Sequence, residues 1–307
     1  MNPAYSVILF TTASGAGYGL LALLGLVGFN HGQASSLAFG VTALVIALGL
    51  ITIGLLSSTF HLGHPERAWR ALSQWRSSWL SREGVAAVLT YPVALAFGAA
   101  WTGVIDAPQW IGPLGIVTAI MCSVTVFCTG MIYASLKTIP QWHHRLTVPV
   151  YLVLAAATGA VCLSAIATGF GRFQWFQAAL TTALLLIGLI LKQLYWSMID
   201  SSLPKFTTSA ATGLKGDVRQ WEVPHTNVNF IQKEMGFVVA RKHAEKLRLL
   251  SAAGLGLAAV AMMLSLATPY ATWLAVLFVS VAVVFERWLF FAEAKHVVNL
   301  YYGTAAT

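Results

Sequence analysis

The residues best suited to chemistry form one polar stretch between the second and third long apolar runs, HLGHPERAWRALSQWRSSWLSREG, residues 61–84. Imidazole, carboxyl and guanidinium groups come together there at a predicted boundary between lipid and water. A quinone headgroup needs hydrogen-bond donors and groups that exchange protons, and histidine suits the second role because its unperturbed pKa lies near neutrality. We therefore predict a site for quinone binding and proton transfer, with these members: His61, His64, Arg67, Trp79, Arg82 and Glu83.

The same residues also have a purely structural interpretation. His61 could cap the end of its helix, and the arginines could serve only to fix the topology of the chain. Glu83 could be favoured simply by the positive end of the helix dipole. Composition alone leaves both interpretations open.

A second polar cluster closes the last apolar run, in the sequence ERWLFFAEAKH. Glu286, Arg287 and Glu293 border or enter the apolar zone, where charged side chains are costly and are usually paired or functional. On a helix, Glu286, Glu293 and His296 are at i, i+7 and i+10 and are predicted to lie close to one face. The cluster is either an internal ion pair that locks the bundle or a catalytic group.

The elements that must position these residues are membrane helices. Mean hydropathy is +0.74, 58% of the residues are hydrophobic and 9% are charged, which predicts a chain that resides in lipid. Because the apolar runs are continuous rather than alternating, they predict helices and exclude a barrel. We expect an all-α, polytopic bundle, a single domain over 1–307, with spans near 6–29, 36–60, 84–104, 110–134, 148–169, 176–197, 250–268 and 271–291.

Basic residues predict the orientation of the bundle. Sixteen of the seventeen lysines and arginines in connections and tails fall on the side of both termini, and Arg172 alone falls on the other side. By the positive-inside rule, the termini and the long connections are predicted to be cytoplasmic in a bacterial inner membrane. The net charge of +8 is therefore interpreted as a topology signal, and no nucleic-acid partner is expected.

The connection over 198–249 is long and polar. Its second half predicts an amphipathic helix, with apolar Met235 and Phe237 beside basic Arg241 and Lys246. Such a helix could lie on the membrane or meet another protein. We favour a partner-docking loop in the cytoplasm, because the Gly- and Pro-containing stretch before it has no apolar face for lipid.

Neither haem nor an iron–sulfur cluster is expected in this protein, and no metal site is predicted. The three cysteines lie inside apolar runs without a Cys-x-x-Cys pair. Bis-histidine haem ligation needs histidines that face each other inside the bundle. All eight histidines are predicted at helix ends or in connections: His31, His61, His64, His143, His144, His225, His243 and His296.

The 61–84 stretch resembles the HLG-x-P-x-R-A…S-x-x-LS-x-E signature of the DmsC-like anchor subunits of molybdopterin oxidoreductases. The resemblance implies a membrane subunit without haem that exchanges electrons with ubiquinone or menaquinone. It also implies two partners, a molybdopterin catalytic subunit and a ferredoxin-like iron–sulfur subunit with four clusters. The family's quinol-site histidine and glutamate correspond to His61 and Glu83.

Two further stretches, EVPHTNVNFIQKEMGFVVARKHAEKLR and ERWLFFAEAKHVVNLYYG, resemble the branch found with cytoplasmic sulfite dehydrogenases (SoeC-type). In the dimethyl sulfoxide reductases the catalytic subunits lie in the periplasm on the HLG side, whereas the basic residues here place that side in the cytoplasm. We expect an anchor that passes electrons from sulfite oxidation to the quinone pool. The alternatives are a quinol-oxidising anchor of the dimethyl sulfoxide reductase type and, from a different class, a secondary anion transporter. No inverted repeat or broken helix supports the transporter.

Overall fold

The computed structural model describes residues 3–34, 36–60, 62–201, 206–222, 227, 229, 230, 232 and 243–303. Eight long helices, all apolar enough to cross a membrane, dominate this part of the protein. They are α1 Tyr5–His31, α2 Leu37–Thr59, α3 Trp79–Trp101, α4 Pro108–Ala134, α5 Thr147–Gly169, α6 Trp175–Ser201, α7 Ala244–Leu264 and α8 Ala271–Ala292. The predicted helical membrane bundle is confirmed.

Two helices begin five or six residues before their predicted apolar runs, whereas the other six begin within two residues of them. α3 was predicted from residue 84 but begins at Trp79, where the Ser78 side chain accepts a hydrogen bond from the Ser81 backbone N–H at 3.5 Å. α7 was predicted from residue 250 but begins at Ala244. Helices extend past the hydrocarbon zone because polar residues are tolerated where the chain reaches headgroups and water. As a result, Glu83 lies inside a helix rather than before it.

The centre of the bundle is α1, which packs against α2, α4 and α5. Its contact with α5 is very close, since a methyl group added to Gly19 would lie 1.8 Å from the carbonyl oxygen of Ala155. One added to Gly159 would lie 2.2 Å from the carbonyl carbon of Gly19. Small residues therefore allow the two backbones to touch, as is common between membrane helices. α3 pairs with α4, and α7 pairs with α8.

Hydrogen bonds and aromatic rings join the α4–α5 connection to the ends of α6 and α8. Trp142 donates from Nε1 to the carbonyl oxygen of Phe290 at 2.8 Å, and the two rings stack with centroids 5.6 Å apart. Tyr195 donates from its hydroxyl to the carbonyl oxygen of Gln141 at 2.8 Å. These contacts fix the end of the bundle at which both predicted polar clusters lie.

The long connection between α6 and α7 is described in part. α6 continues to Ser201, and a short helix spans Thr208–Thr212. The predicted amphipathic helix falls mostly on residues outside those described, as do His61 and His225. The docking role of residues 198–249 therefore stays a prediction.

Candidate functional site

Glu83 is a buried carboxyl on the first turns of α3. Its side chain is 4% exposed, and its partner is Thr129 of α4, whose hydroxyl donates to Oε1. The same hydroxyl lies 3.1 Å from the carbonyl oxygen of Thr125. The pairing of α3 with α4 thus supplies Glu83 with one neutral hydrogen-bond donor, and the ion pairs of the described residues do not include it.

A 3-10 helix, Pro65–Gln74, lies next to the start of α3. Ser81 fastens it by donating from its hydroxyl to the carbonyl oxygen of Ala71. Arg82 donates to the carbonyl oxygens of Trp75 and Arg76, at 2.9 and 2.7 Å, and its guanidinium lies 4.2 Å from the centre of the Trp79 ring. In this structure Arg82 holds the connection in place rather than pairing with Glu83.

Two more predicted site residues form a separate exposed group. Nδ1 of His64 lies 3.1 Å from Oε1 of Glu66, and Nε of Arg67 lies 3.6 Å from the same oxygen. The structure therefore brings Trp79 and Arg82 together near Glu83, and joins His64 and Arg67 to Glu66. His61 lies outside the described residues.

A fully buried charge cluster joins α6 to α8. Nζ of Lys192 lies 2.6 Å from Oε1 of Glu286, and Nε of Arg287 lies 3.3 Å from Oε2. Lys192 and Glu286 are 1% and 0% exposed, and the Arg287 guanidinium lies 3.7 Å from the centre of the Tyr151 ring. The sequence predicted Glu286 and Arg287 but missed Lys192. The available signal was a lysine inside an otherwise apolar run, because such residues usually face a partner in the bundle.

Glu293 belongs to a second ion network at the edge of the bundle. Arg248 of α7 donates from Nε to Oε1 of Glu293 at 2.7 Å and from Nη2 to Oδ1 of Asp200 at 3.1 Å. Burial raises the pKa of the Glu293 carboxyl, although the charge of Arg248 and its hydrogen bond act in the opposite direction. This network ties together the ends of α6, α7 and α8.

His296 does not lie on the predicted helical face. α8 ends at Ala292, so the expected i, i+10 relation to Glu286 is wrong. Instead, Nδ1 of His296 accepts a hydrogen bond from the Val298 backbone N–H at 3.0 Å and begins the 3-10 helix Val297–Leu300. Burial lowers the pKa of this imidazole.

A small cavity of about 10 Å³ connects the two buried glutamates through their partners. It is lined by Thr129, the partner of Glu83, and by Arg287, the partner of Glu286. The Tyr18 hydroxyl and Nη1 of Arg287 are buried without a hydrogen-bond partner in the described part of the protein, and both residues line the cavity. The space suits about one water molecule.

Comparison with known proteins decides the family. Residues 1–303 match the DmsC family, described as "DMSO reductase anchor subunit (DmsC)". The protein belongs to this family. The resemblance of its 61–84 stretch is therefore confirmed, and the protein is a multi-pass membrane anchor subunit of an oxidoreductase complex.

Individual members of the family differ in how much of the sequence they match. The C subunit of the sulfite dehydrogenase of Allochromatium vinosum is 32% identical over the full length of both proteins. The C subunit of the anaerobic dimethyl sulfoxide reductase of Haemophilus influenzae is 27% identical over 46% of this sequence and 50% of its own length. The YnfH subunit of an Escherichia coli anaerobic dimethyl sulfoxide reductase is 24% identical over 53% of this sequence and 57% of its own length. Similarity to the sulfite dehydrogenase protein thus extends over the full length.

Proposed function

We propose that this protein is the membrane anchor and quinone-reactive subunit of a molybdenum and iron–sulfur enzyme that oxidises sulfite. The observation that carries the proposal is the full-length similarity to the C subunit of a sulfite dehydrogenase. The basic residues on the side of the α2–α3 connection support a cytoplasmic position for the partner subunits. Electrons would then pass from sulfite through the iron–sulfur subunit to ubiquinone or menaquinone in the membrane.

The donor set at the start of α3 suits a quinone headgroup. Glu83 offers a buried carboxyl that can hold or release a proton, and the Thr129 hydroxyl fixes its orientation. The ring of Trp79, in edge contact with Phe127 at 5.9 Å, supplies apolar surface one turn away. A quinone bound there would accept electrons and protons together. The role of Glu83 would be to carry protons between the headgroup and water, with His61 as the family's second group.

The α2–α3 connection also has the composition of a protein interface. The 3-10 helix Pro65–Gln74 has no buried residue. Trp69 and Trp75 are 68% and 53% exposed, with the guanidiniums of Arg70 and Arg76 lying 5.6 and 5.5 Å from the centres of their rings. Tryptophan and arginine are enriched where interfaces gain most of their affinity. We propose that the iron–sulfur subunit docks on this surface, which would bring its last cluster close to Glu83.

The test compares two electron acceptors in the purified three-subunit complex. E83Q keeps an oxygen that can accept from Thr129 but cannot take up a proton near neutral pH. Sulfite-dependent quinone reduction should fall by about 100-fold or more, whereas sulfite oxidation with a soluble artificial acceptor should be unchanged. H61A is expected to have the same pattern.

D106N is the matched control, because Asp106 is an exposed carboxyl in the α3–α4 connection. It should leave both rates at the wild-type level. Unchanged quinone reduction in E83Q would remove Glu83 from the site. A parallel loss of both rates would instead mean that the complex no longer assembles.

The family also contains dimethyl sulfoxide reductase proteins, so the opposite direction of electron flow has support from a specific similarity. The same purified complex can be offered a quinol with dimethyl sulfoxide. Turnover with that substrate and none with sulfite would favour the reductase. Retention of a molybdopterin subunit and a cysteine-rich subunit during purification would support either enzyme, whereas anion transport by this protein alone in liposomes would favour a transporter.

A further inference from the structure

A cavity of about 430 Å³ lies at the other end of the bundle from Glu83, between the ends of α1, α3 and α5 and the starts of α2 and α6. Its volume is within the range of about 300–1,000 Å³ that is usual for ligand sites. Leu26 of α1 and Phe176 and Leu180 of α6 line it and are exposed on the surface that faces lipid. The cavity is therefore open sideways to the bilayer.

The polar part of the lining is rich in hydrogen-bond donors and contains no carboxylate among the described residues. Its members are Asn30, His31, Gln33, Ser164, Arg172, Gln174, Gln177 and Thr181. In the eight-span topology, Arg172 is the single lysine or arginine in the connections on its side of the membrane. The positive-inside rule explains the basic residues of the opposite side but not this one. An arginine that orientation does not require thus lies at the mouth of a cavity open to lipid.

The Gln177 side chain is oriented for a ligand with acceptor oxygens. The amide oxygen of Gln177 accepts from the Gln174 backbone N–H at 2.9 Å. The amide nitrogen of Gln177, which is a hydrogen-bond donor, therefore points away from the Gln174 backbone. Trp101 lies behind the inner wall of the cavity and is 0% exposed. The groups that can reach a bound molecule are therefore the polar side chains nearer the mouth.

We propose that this cavity binds an anionic phospholipid from the leaflet opposite the α2–α3 connection. The phosphate lies at Arg172 and Gln177, and an acyl chain leaves between α1 and α6. Charge favours a phospholipid over a quinone, the other amphiphile with acceptor oxygens, because an arginine forms a stronger hydrogen bond with a charged phosphate than with a neutral quinone carbonyl. The bound lipid would connect the five helices that surround the cavity and stabilise the end of the bundle opposite the proposed docking surface.

Lipid retention tests the proposal directly. The purified complex, washed in mild detergent, should retain about one phospholipid at this site, measured by native mass spectrometry and by extraction. R172Q removes the cation, and Q177E keeps the oxygen that accepts from Gln174 while placing a negative charge beside the phosphate. Each variant should reduce retention by about tenfold or more.

R145Q is the matched control, since Arg145 is an exposed arginine in the α4–α5 connection at the opposite end. It should retain the lipid as the wild type does. Equal phospholipid retention in R172Q, Q177E and wild type would overturn the proposal. Loss of bound quinone in these variants, with phospholipid unchanged, would also overturn it and assign the cavity to quinone.

A second measurement separates binding from folding. Delipidated complex in phosphatidylcholine nanodiscs should gain several degrees of melting temperature when phosphatidylglycerol is added, because a ligand that binds only the folded state stabilises it. Before phosphatidylglycerol is added, R172Q should have the same melting temperature as the wild type. After the addition, its melting temperature should rise only slightly. An equal gain in both proteins would mean that the lipid acts elsewhere.

Discussion

Two glutamates are buried in the same half of this bundle, and their surroundings differ sharply. Glu83 is 4% exposed and is held by a threonine hydroxyl, whereas Glu286 is 0% exposed and lies between Lys192 and Arg287. Burying an ionised carboxylate costs several kcal/mol unless cations and hydrogen bonds offset the loss of water. Glu286 has its counter-charges in place and suits a structural lock. Glu83 has none among the described residues and suits a group that exchanges protons.

The two glutamates are nevertheless neighbours in the packing. The cavity of about 10 Å³ touches Thr129 on one side and Arg287 on the other. One small cavity therefore borders a direct partner of each carboxyl. We expect variants around Glu286 to change stability and variants around Glu83 to change turnover.

The largest expected effect comes from K192M. It leaves Glu286 with Arg287 alone in a site that is closed to water. Removing one partner of a buried ion pair costs about 3–5 kcal/mol. The fraction of complex that remains monodisperse after heating in detergent should fall accordingly.

The triple variant K192M/E286L/R287M is the control for K192M, because it removes all three charges of the cluster and keeps apolar bulk. Replacing every member of a buried ion cluster by apolar residues is often neutral, so most of the lost stability should return. If K192M alone were as stable as the wild type, the lock would have no structural role. In that case the difference between the two glutamates would have to be functional.

The next effect concerns turnover. T129V removes the hydroxyl that donates to Glu83 and keeps the shape of the side chain. Loss of one such bond is expected to cost about 1–2 kcal/mol, so quinone reduction should fall by about tenfold. Oxidation of sulfite with an artificial acceptor should be unchanged.

T125V controls for the loss of a threonine hydroxyl on the same helix. Thr125 donates to the carbonyl oxygen of Met121 at 2.9 Å and has no bond to Glu83 among the described contacts. It should leave quinone reduction near the wild-type rate. An equal loss in both variants would show that the helix, and not the orientation of the carboxyl, limits the reaction.

A smaller, pH-dependent effect is expected at Glu293, which lies at the edge of the bundle beyond the buried charge cluster of Glu286. Burial raises the folded-state pKa of this carboxyl. The contribution of Glu293 to the free energy of unfolding is therefore fully present below the unfolded-state pKa of about 4.3, and it is lost as pH rises through the folded-state pKa. The stability of the wild type relative to E293Q should therefore decline over that window. A difference that stays constant with pH would show that Arg248 offsets the burial completely.

The sequence was sufficient for the eight helices, because each span is a continuous apolar run whose length matches the bilayer. It also placed Glu83 next to the membrane boundary. It did not predict that Arg82 would donate to the backbone of its own connection. The target of a guanidinium depends on which carbonyl oxygens the fold leaves nearby, and that is a property of the turn rather than of residue spacing.

Lys192 shows a different limit of sequence reasoning. Its contact with Glu286 depends on the rotation and depth of α6 relative to α8, and neither is encoded in the hydropathy of the two runs. The His296 prediction failed for a related reason. A helical face was extended through residues 293–296, but α8 ends at Ala292 and the backbone turns to pair Val297 N–H with the carbonyl oxygen of Thr138 at 3.1 Å.

The smallest expected effect lies at that turn. Nδ1 of His296 accepts from Val298 N–H only when the imidazole is neutral, and burial lowers its pKa. The stabilising bond is therefore present above the unfolded value of about 6.5 and is lost as pH falls through the lower folded value. The protection of the Val298 amide against hydrogen exchange should decline there by up to about tenfold, as expected for one hydrogen bond. H296N carries an oxygen that accepts at any pH, so its protection should not change. A decline of the same size in H296N would assign the pH dependence to another group at this end of the bundle.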